Sequence, residues 1–244
     1  MRKLVTVIVG SALMAGCGSG GSKSTPAHAV ARHAGGSPTA SPARFAAQTQ
    51  NPWFPLRPGT TYLYTGVKDG KPSRDVFTVS HAVKTIQGVR TTAVSDRLFI
   101  RGHLAERTTD WYAPDAQGNV WYFGEATAEL DRNGKVTSTE GSWQGGVNGA
   151  RPGVYMPANP HIGQSGLQEY YKGHAEDHYR VKSLAASVRT PGASSGHALL
   201  TEEFTPLEPA VLDHKLYVRG VGNVLELTVK GAVERNTLVA VRHR

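Results

Sequence analysis

The sequence predicts an all-β domain, or a β-rich domain with one or two short helices, built from successive antiparallel hairpins. Three observations lead to this prediction. Short runs rich in β-branched and aromatic residues recur, turn dipeptides separate them, and Gly or Pro interrupts every apolar pattern of helical spacing in the domain. An antiparallel meander of this length is expected to close into a curved sheet, a half-barrel or a barrel.

The strands are predicted first, and several of them alternate apolar and polar residues with the period of two that marks a half-buried strand. In Asp75–Ser80, for example, Phe77 and Val79 fall on one face. The predicted strands are 60–67, 75–83, 89–100, 106–113, 120–126, 178–187, 197–205, 215–218, 223–229 and 237–242. Segments 184–187 and 210–214 could each form one turn of helix.

The turns are predicted from short glycine-containing motifs. Asp69-Gly70 and Asn133-Gly134 are dipeptides that favour tight hairpins, since both central residues adopt positive φ. The segment 115–119 is a longer hairpin loop with Gly118 available for a left-handed position, and Asp115 is expected to bond its own backbone there. The turns therefore place antiparallel neighbours next to each other along the chain.

The N-terminus has the layout of a secretory signal peptide. Arg2 and Lys3 precede the apolar run 4–14, which is too short to span a bilayer as a helix, and Met14-Ala15-Gly16-Cys17 follows. This segment resembles a bacterial lipoprotein signal, although Met14 stands where that family usually has Leu. The resemblance implies removal of residues 1–16 and lipidation of Cys17 by a diacylglyceryl thioether and an N-acyl group.

Cys17 is the only cysteine in the chain, so no intramolecular disulfide can form. The mature protein is accordingly expected to be exported and anchored by lipid to the outer face of the bacterial cell membrane. Residues 17–50 are rich in Gly, Ser, Ala and Pro, which predicts a disordered tether. Residues 51–244 are long enough for a single β-rich domain.

The basic composition does not indicate a nucleic-acid-binding protein. The formal net charge is +8, but five of the 27 basic residues and none of the 19 acidic residues precede Asn51, which leaves the domain at +3. The charges of the domain are interspersed, without the single-sign stripe that tracks phosphates. Nucleic acid is therefore excluded as an expected partner.

Several segments of the domain resemble a family of uncharacterised secreted bacterial proteins. The segments are Asn51–Tyr62, Asp110–Asp115, Gly118–Glu125, Thr205–Pro209, Lys215–Tyr217 and Gly220–Gly222. The resemblance spans most of residues 51–229 and implies a shared domain, but it implies no activity.

The candidate ligand-binding residues are Trp111, Tyr112, Trp121 and Tyr122, which flank the 113–120 turn. Paired across that turn, some of these rings become neighbours and could form a stacking platform for a sugar or an apolar ligand. The alternative is core packing, because aromatic side chains bury large areas. Neighbours in a strand face opposite ways, so at least one residue of each pair is expected to face the core.

The candidate metal ligands are His174, Glu176, Asp177 and His178. The segment departs from the zinc-peptidase patterns, in which Glu directly follows the first His or directly precedes the second. On a strand, His174, Glu176 and His178 would share one face as a non-specific metal patch. The alternative is a solvated, polar strand end.

The sequence thus favours a non-catalytic envelope lipoprotein whose domain binds an apolar ligand, a glycan or an envelope protein, with membrane lipid contacted through Cys17. No cofactor is expected. One alternative is a metal-dependent hydrolase that holds a divalent metal at the His174–His178 cluster. The other is a purely structural envelope protein.

Overall fold

The computed structural model describes residues 40–45, 47 and 49–243, which form a 15-stranded antiparallel sheet nearly closed into a barrel. The predicted all-β fold class is therefore confirmed. A 3₁₀ helix, Pro42–Phe45, precedes the strands. The strands are β1 Thr60–Lys68, β2 Lys71–Ile86, β3 Val89–Ile100, β4 His103–Pro114, β5 Val120–Leu130, β6 Val136–Ser138, β7 Trp143–Gln144, β8 Arg151–Met156, β9 Ser165–Leu167, β10 Glu169–Tyr170, β11 His178–Arg189, β12 Ser194–Phe204, β13 Leu212–Val218, β14 Gly222–Lys230 and β15 Arg235–His243. Within the described residues, no helix is long and apolar enough to cross a membrane.

Each predicted strand is present, whereas the two suggested helical turns are wrong. Residues 184–187 belong to β11, where the register with β12 shifts at three places between Val181 and Val188. Such irregularities break the period of two and leave apolar side chains at a spacing that imitates a helix. In the second segment, β13 already begins at Leu212.

The sheet is a meander whose two edges are joined by one short segment. β1 pairs with both β2 and β15, so the two ends of the meander lie side by side in the middle of the sheet. At the outer edges, β9 pairs with β11 and β10 pairs with β8. Because only Gln168 separates β9 from β10, the segment 165–170 bridges both edges. This segment spans the gap between the two edges of the nearly closed barrel.

Three hairpins contain an X-Gly dipeptide in which both residues have positive φ. These are Asp69-Gly70, as predicted, together with Gln87-Gly88 and Arg101-Gly102. The prediction of a tight turn at Asn133-Gly134 is wrong, because those residues lie in a longer Asp131–Lys135 loop and, of the two, only Gly134 has positive φ. The Asp131 Oδ1 atom accepts hydrogen bonds from the backbone N–H groups of Asn133 and Lys135, which stabilises the longer loop.

The barrel interior is filled mainly by aromatic side chains. The segment after Asn51 enters the barrel and buries Trp53, Phe54 and Leu56 in the main hydrophobic cluster. The Phe54 ring makes edge contacts with Phe77 at 6.1 Å and with Tyr112 at 5.3 Å between ring centroids. The entering segment is thus part of the core.

A second hydrophobic cluster lies between the 3₁₀ helix and the outer face of β4 and β5. Phe45 packs edge-on against Trp121 and Phe123, with centroid distances of 5.9 and 5.3 Å. The described end of the predicted tether therefore packs against the barrel. Phe45 is one of the few large apolar side chains in residues 17–50, and burial of its ring explains this contact.

Candidate ligand-binding cleft

A cleft opens on the inner face of strands β1, β2, β14 and β15. Tyr62, Tyr64 and Phe77 form its aromatic wall, and the polar residues that line it are Asp75, Asn223, Glu226 and Asn236. The cleft measures about 420 Å³ when its solvent-filled mouth is counted. Because that volume includes space open to solvent, a ligand bound in the cleft leaves part of its surface in the mouth.

The strand registers bring these residues together from distant parts of the chain. On β1 and β2, Tyr62 lies opposite Phe77 and Tyr64 lies opposite Asp75. The next position on β1 that faces inward is Gly66, which lies opposite Asn236 of β15. Since Gly66 has no side chain, the Asn236 amide reaches across β1 and donates a hydrogen bond to Asp75 Oδ2 at 3.2 Å.

Asn223 is the unusual polar residue of the cleft. Its backbone carbonyl accepts a hydrogen bond from the Tyr64 hydroxyl at 3.0 Å, which holds the wall in place. Its side chain is 6% exposed, and its Nδ2 atom has no hydrogen-bond partner among the described residues. A buried donor left unsatisfied costs about 1–3 kcal/mol, so this amide is suited to bind an acceptor that enters the cleft.

The field in the cleft is negative. Burial raises the pKa of Tyr64 well above its usual range, and the carboxylates of Asp75, Asp96 and Glu226 raise it further. A neighbouring cavity shares Asp75, Glu226 and Asn236 with the cleft and continues toward Lys68 and Glu234, which form an ion pair. The cleft is therefore suited to positively charged or hydrogen-donating groups.

Further acidic side chains lie on the inner face of the sheet beyond the cleft. Asp110 and Glu125 lie directly opposite each other on β4 and β5, and both are buried. Burial raises the pKa of Asp110 well above its usual range, and Glu125 and Asp96 add to that shift. The Tyr122 hydroxyl donates a hydrogen bond of 2.6 Å to Asp110 Oδ1. The inner face thus carries acidic side chains from β2 to β5.

The structure separates the four aromatic residues predicted to bind a ligand. Tyr112 and Tyr122 face inward and stack at a centroid distance of 4.6 Å. Trp121 faces outward, is 1% exposed under Phe45, and donates through Nε1 to Asp115 Oδ2. Trp111 is half-buried, with the Lys84 ammonium 3.7 Å from the centre of its ring. None of the four is among the residues that line the cleft.

The four candidate metal ligands lie in a turn and at the start of β11. The His174 Nδ1 atom is 2.8 Å from Glu140 Oε1, and Glu176 accepts a hydrogen bond of 2.7 Å from the Gly173 amide. His178 stacks on Phe204 at 5.5 Å, and its burial lowers its pKa. In the described part of the chain, no three His, Cys, Asp or Glu side chains are arranged to hold a metal ion. The fourth candidate, Asp177, directly precedes His178 in the sequence.

The predicted lipidation site, Cys17, lies outside the described residues.

Sequence reasoning missed Asp75, Asn223, Glu226 and Asn236. A signal was present for two of them, because Asp75 falls on the same strand face as Phe77, and Glu226 on the same face as Val224. A carboxylate in register with a buried apolar face is rare unless it is paired or functional. The two asparagines carry no comparable local signal.

Comparisons with known proteins identify no family. No family model matches the chain, and no curated protein matches it. One similar solved structure is a Bacteroides fragilis protein, assigned as exported, with a YmcC-like fold; it has a TM-score of 0.45 and 14% identity, and the match covers 78% of this chain and 98% of that one. Another is a Parabacteroides distasonis protein assigned as a lipoprotein, with a TM-score of 0.43, 11% identity, and coverage of 80% of this chain and 100% of that one. Likenesses at this level indicate neither a family nor a function for this chain.

Proposed function

We propose that this chain is an exported lipoprotein, anchored to the membrane through Cys17, whose β domain binds a small ligand bearing an ammonium group in the cleft. The observation that carries the proposal is the meeting of two carboxylates, Asp75 and Glu226, with the buried Asn223 amide inside an aromatic wall. Mostly apolar pockets with a few convergent polar groups are the usual form of small-molecule sites.

The chemistry of the cleft defines the ligand class. The carboxylates of Asp75 and Glu226 attract an ammonium group in addition to the Lys215 ammonium, which lies 3.9 Å from Glu226, and the faces of neighbouring aromatic rings attract the same cation. The Asn223 Nδ2 atom requires an acceptor oxygen beside that ammonium group. A molecule with an amine next to a hydroxyl has both, and an amino sugar is the glycan that fits this description.

Binding is proposed in preference to catalysis because the polar groups of the cleft hold each other in fixed hydrogen bonds. Asn236 donates to Asp75, and Tyr64 donates to the Asn223 carbonyl. Groups held in this way recognise a ligand with little reorganisation.

The anchor is supported by the sequence before the domain. A basic start, a short apolar run and small residues lead to Cys17, which is the only cysteine in the chain. The described residues before the domain pack on the outside of the barrel, while the cleft lies on its inner face. The ligand site and the anchored segment are therefore on different faces of the sheet.

The proposal is tested by calorimetric titration of the detergent-solubilised full chain with glucosamine, N-acetylglucosamine and glucose. We expect glucosamine to bind at least about tenfold more tightly than the other two sugars, since only its amine is charged. The variants Asp75→Asn and Asn223→Ala should each weaken glucosamine binding. The control Asp69→Asn removes an exposed carboxylate at a turn whose positive φ suits Asn, so it should bind like the wild type.

Equal affinities for the three sugars, or no heat with any of them, would refute an ammonium site. Unchanged glucosamine binding by both cleft variants would show that the sugar binds elsewhere. Thermal unfolding of each variant checks that the barrel remains folded.

A further inference from the structure

A second groove, which we call the distal groove, lies where the hairpins β1–β2, β3–β4 and β5–β6 end. It measures about 900 Å³ when the space open to solvent is counted. The residues that line it include Lys71, Ile100, Arg101, Leu104, Leu130 and Arg132. It shares none of its lining residues with the cleft on the inner face. It therefore requires an explanation of its own.

The floor of the distal groove is apolar. Ile100, Leu104 and Leu130 line it together with Ala105, and all four residues are only partly buried. Apolar surface left open in a concave site is stabilised when an apolar group covers it. The floor crosses the ends of three strands, β3, β4 and β5, and offers apolar contacts to a hydrocarbon chain.

The rim of the distal groove is cationic. Lys71, Arg101 and Arg132 are exposed, and in the described part of the chain none of them forms an ion pair with a carboxylate. The acidic lining residue is Asp131, whose Oδ1 atom is occupied by the backbone amides of its own turn. The rim therefore presents positive charge beside an apolar floor.

We propose that the distal groove binds an anionic amphiphile, with a phosphate or carboxylate head between Arg101 and Arg132 and an acyl chain along Leu104 and Leu130. The charge of the rim selects the head, since guanidinium groups pair with phosphate and carboxylate in a bidentate manner. The apolar side chains of the floor select the acyl chain of the amphiphile. This assignment is independent of the ammonium ligand proposed for the inner cleft.

The position of the groove favours a single amphiphile over the bilayer that holds the anchor. The described residues that lead into the domain contact the hairpin at 114–120, where Thr49 N donates to the Asp115 carbonyl. The distal groove includes His103, at the opposite end of β4. The 12 residues of β4 separate the two ends by about 35 Å, at about 3.3 Å per residue.

The test is calorimetric titration of the purified full chain with dodecyl phosphate and dodecylphosphocholine, each below its micelle concentration, and with inorganic phosphate. Dodecyl phosphate and dodecylphosphocholine have the same alkyl chain but differ in the net charge of the head group. Inorganic phosphate is the head group without an alkyl chain. We expect dodecyl phosphate to bind at least about tenfold more tightly than either of the others. Flotation with vesicles of anionic phospholipid tests the alternative, in which the groove binds a bilayer surface.

The variant that tests the rim is Arg101→Asn with Arg132→Gln. Asn suits the positive φ of Arg101 and forms the Asn-Gly dipeptide preferred in that turn, so the fold is preserved. We expect this double variant to lose about tenfold or more in dodecyl phosphate affinity. The variant Leu104→Thr should weaken binding of dodecyl phosphate without creating an inorganic phosphate site.

Two controls make the result specific. Arg189→Gln removes an exposed cation from β11, and Asn223→Ala alters the inner cleft. Both should bind dodecyl phosphate like the wild type. Equal binding of dodecylphosphocholine, equal binding of inorganic phosphate, unchanged binding by the double rim variant, or binding to vesicles alone would each overturn the proposal.

Discussion

Asp115 organises the hairpin between β4 and β5 through hydrogen bonds made by one buried carboxylate. Its Oδ1 atom accepts hydrogen bonds from the amides of Gln117 at 3.0 Å and Asn119 at 2.8 Å. Its Oδ2 atom accepts from Trp121 Nε1 at 3.0 Å and lies 3.6 Å from Arg44. The carboxylate therefore links the turn, the outer aromatic cluster and the segment that precedes the domain.

Replacing Asp115 by Ala should lower the free energy of unfolding by about 3 kcal/mol or more, because several buried donors lose a charged acceptor. Urea denaturation measures this change. Asp131→Ala is the matched control, since Asp131 makes the same backbone bonds in an exposed turn, and we expect a loss of only about 1 kcal/mol. Equal losses in the two variants would contradict the role assigned to burial.

Asp213 is predicted to make stability depend on pH. Burial raises its pKa to about 7, with Glu226 adding to the shift, although Thr228 donates a hydrogen bond to its carboxylate. In the folded protein the pKa of Asp213 lies above its ordinary value of 3.8. The stabilising contribution of Asp213 is therefore complete below about pH 3.8. That contribution is lost as the pH rises through about 7.

We therefore expect the difference in unfolding free energy between the wild type and Asp213→Asn to change between about pH 4 and pH 7 and to be constant above. The wild type should lose stability relative to the variant as the pH rises. Denaturation in urea at several pH values provides the measurement. Parallel pH profiles for the two proteins would show that Asp213 titrates normally.

At the scale of the elements, closure of the barrel depends on a close approach at Gly153 of β8. A methyl group there would overlap the backbone of Leu167 and Gln168 in the closing segment. We expect Gly153→Ala to destabilise the fold by about 2 kcal/mol or more and to accelerate amide hydrogen exchange in residues 165–170. Gly196→Ala in β12 has open space around it and should be neutral or slightly stabilising.

Strand positions were predictable because their signals are local. The alternation of Phe77 and Val79 and the Asp69-Gly70 dipeptide each act within a few residues. The closing strands β9 and β10 contain only three and two residues, and they gain their partners once both edges of the barrel exist. Their pairing is set by tertiary contacts, so no pattern in the sequence marked them.

The stretch 141–153 is a second place where tertiary contacts set a structure that the local sequence does not indicate. Its glycines predict a surface loop, but it contains β7 and the buried Trp143, whose Nε1 atom donates a hydrogen bond of 2.5 Å to Glu169 Oε2. Glu169 belongs to β10, on the closing segment. The indole is therefore held by a partner that only the closed barrel brings near.

At the scale of the whole molecule, the candidate cleft was beyond sequence reasoning for a geometric reason. The hydrogen bond between Asn236 and Asp75 joins residues 161 positions apart in the sequence. It crosses β1, a strand that contains neither residue. An aromatic group such as Trp111 and Tyr112 is visible in the sequence, whereas a cleft assembled from four strands becomes visible only in the folded chain.

The proposed lipid anchor leads to a prediction about the whole protein. Cells fed an alkyne-tagged palmitate should label the wild-type protein, and Cys17→Ser should abolish the label because the chain has no other cysteine. In-gel fluorescence after click coupling measures incorporation, and Ser19→Ala serves as the control that should label normally. Persistent labelling of Cys17→Ser would contradict lipidation at that residue.

Asn51 determines how the domain responds to mechanical load. Its side chain donates to the carbonyls of Gly118 at 2.8 Å and Met156 at 3.2 Å, and it accepts from the amides of Trp53 and Phe54. A force that pulls on an anchored N-terminus reaches this junction before it reaches β1. The tension is then shared between the β4–β5 hairpin, strand β8 and the aromatic core, so the hydrogen-bond ladder of β1 is shielded from being unzipped from its end.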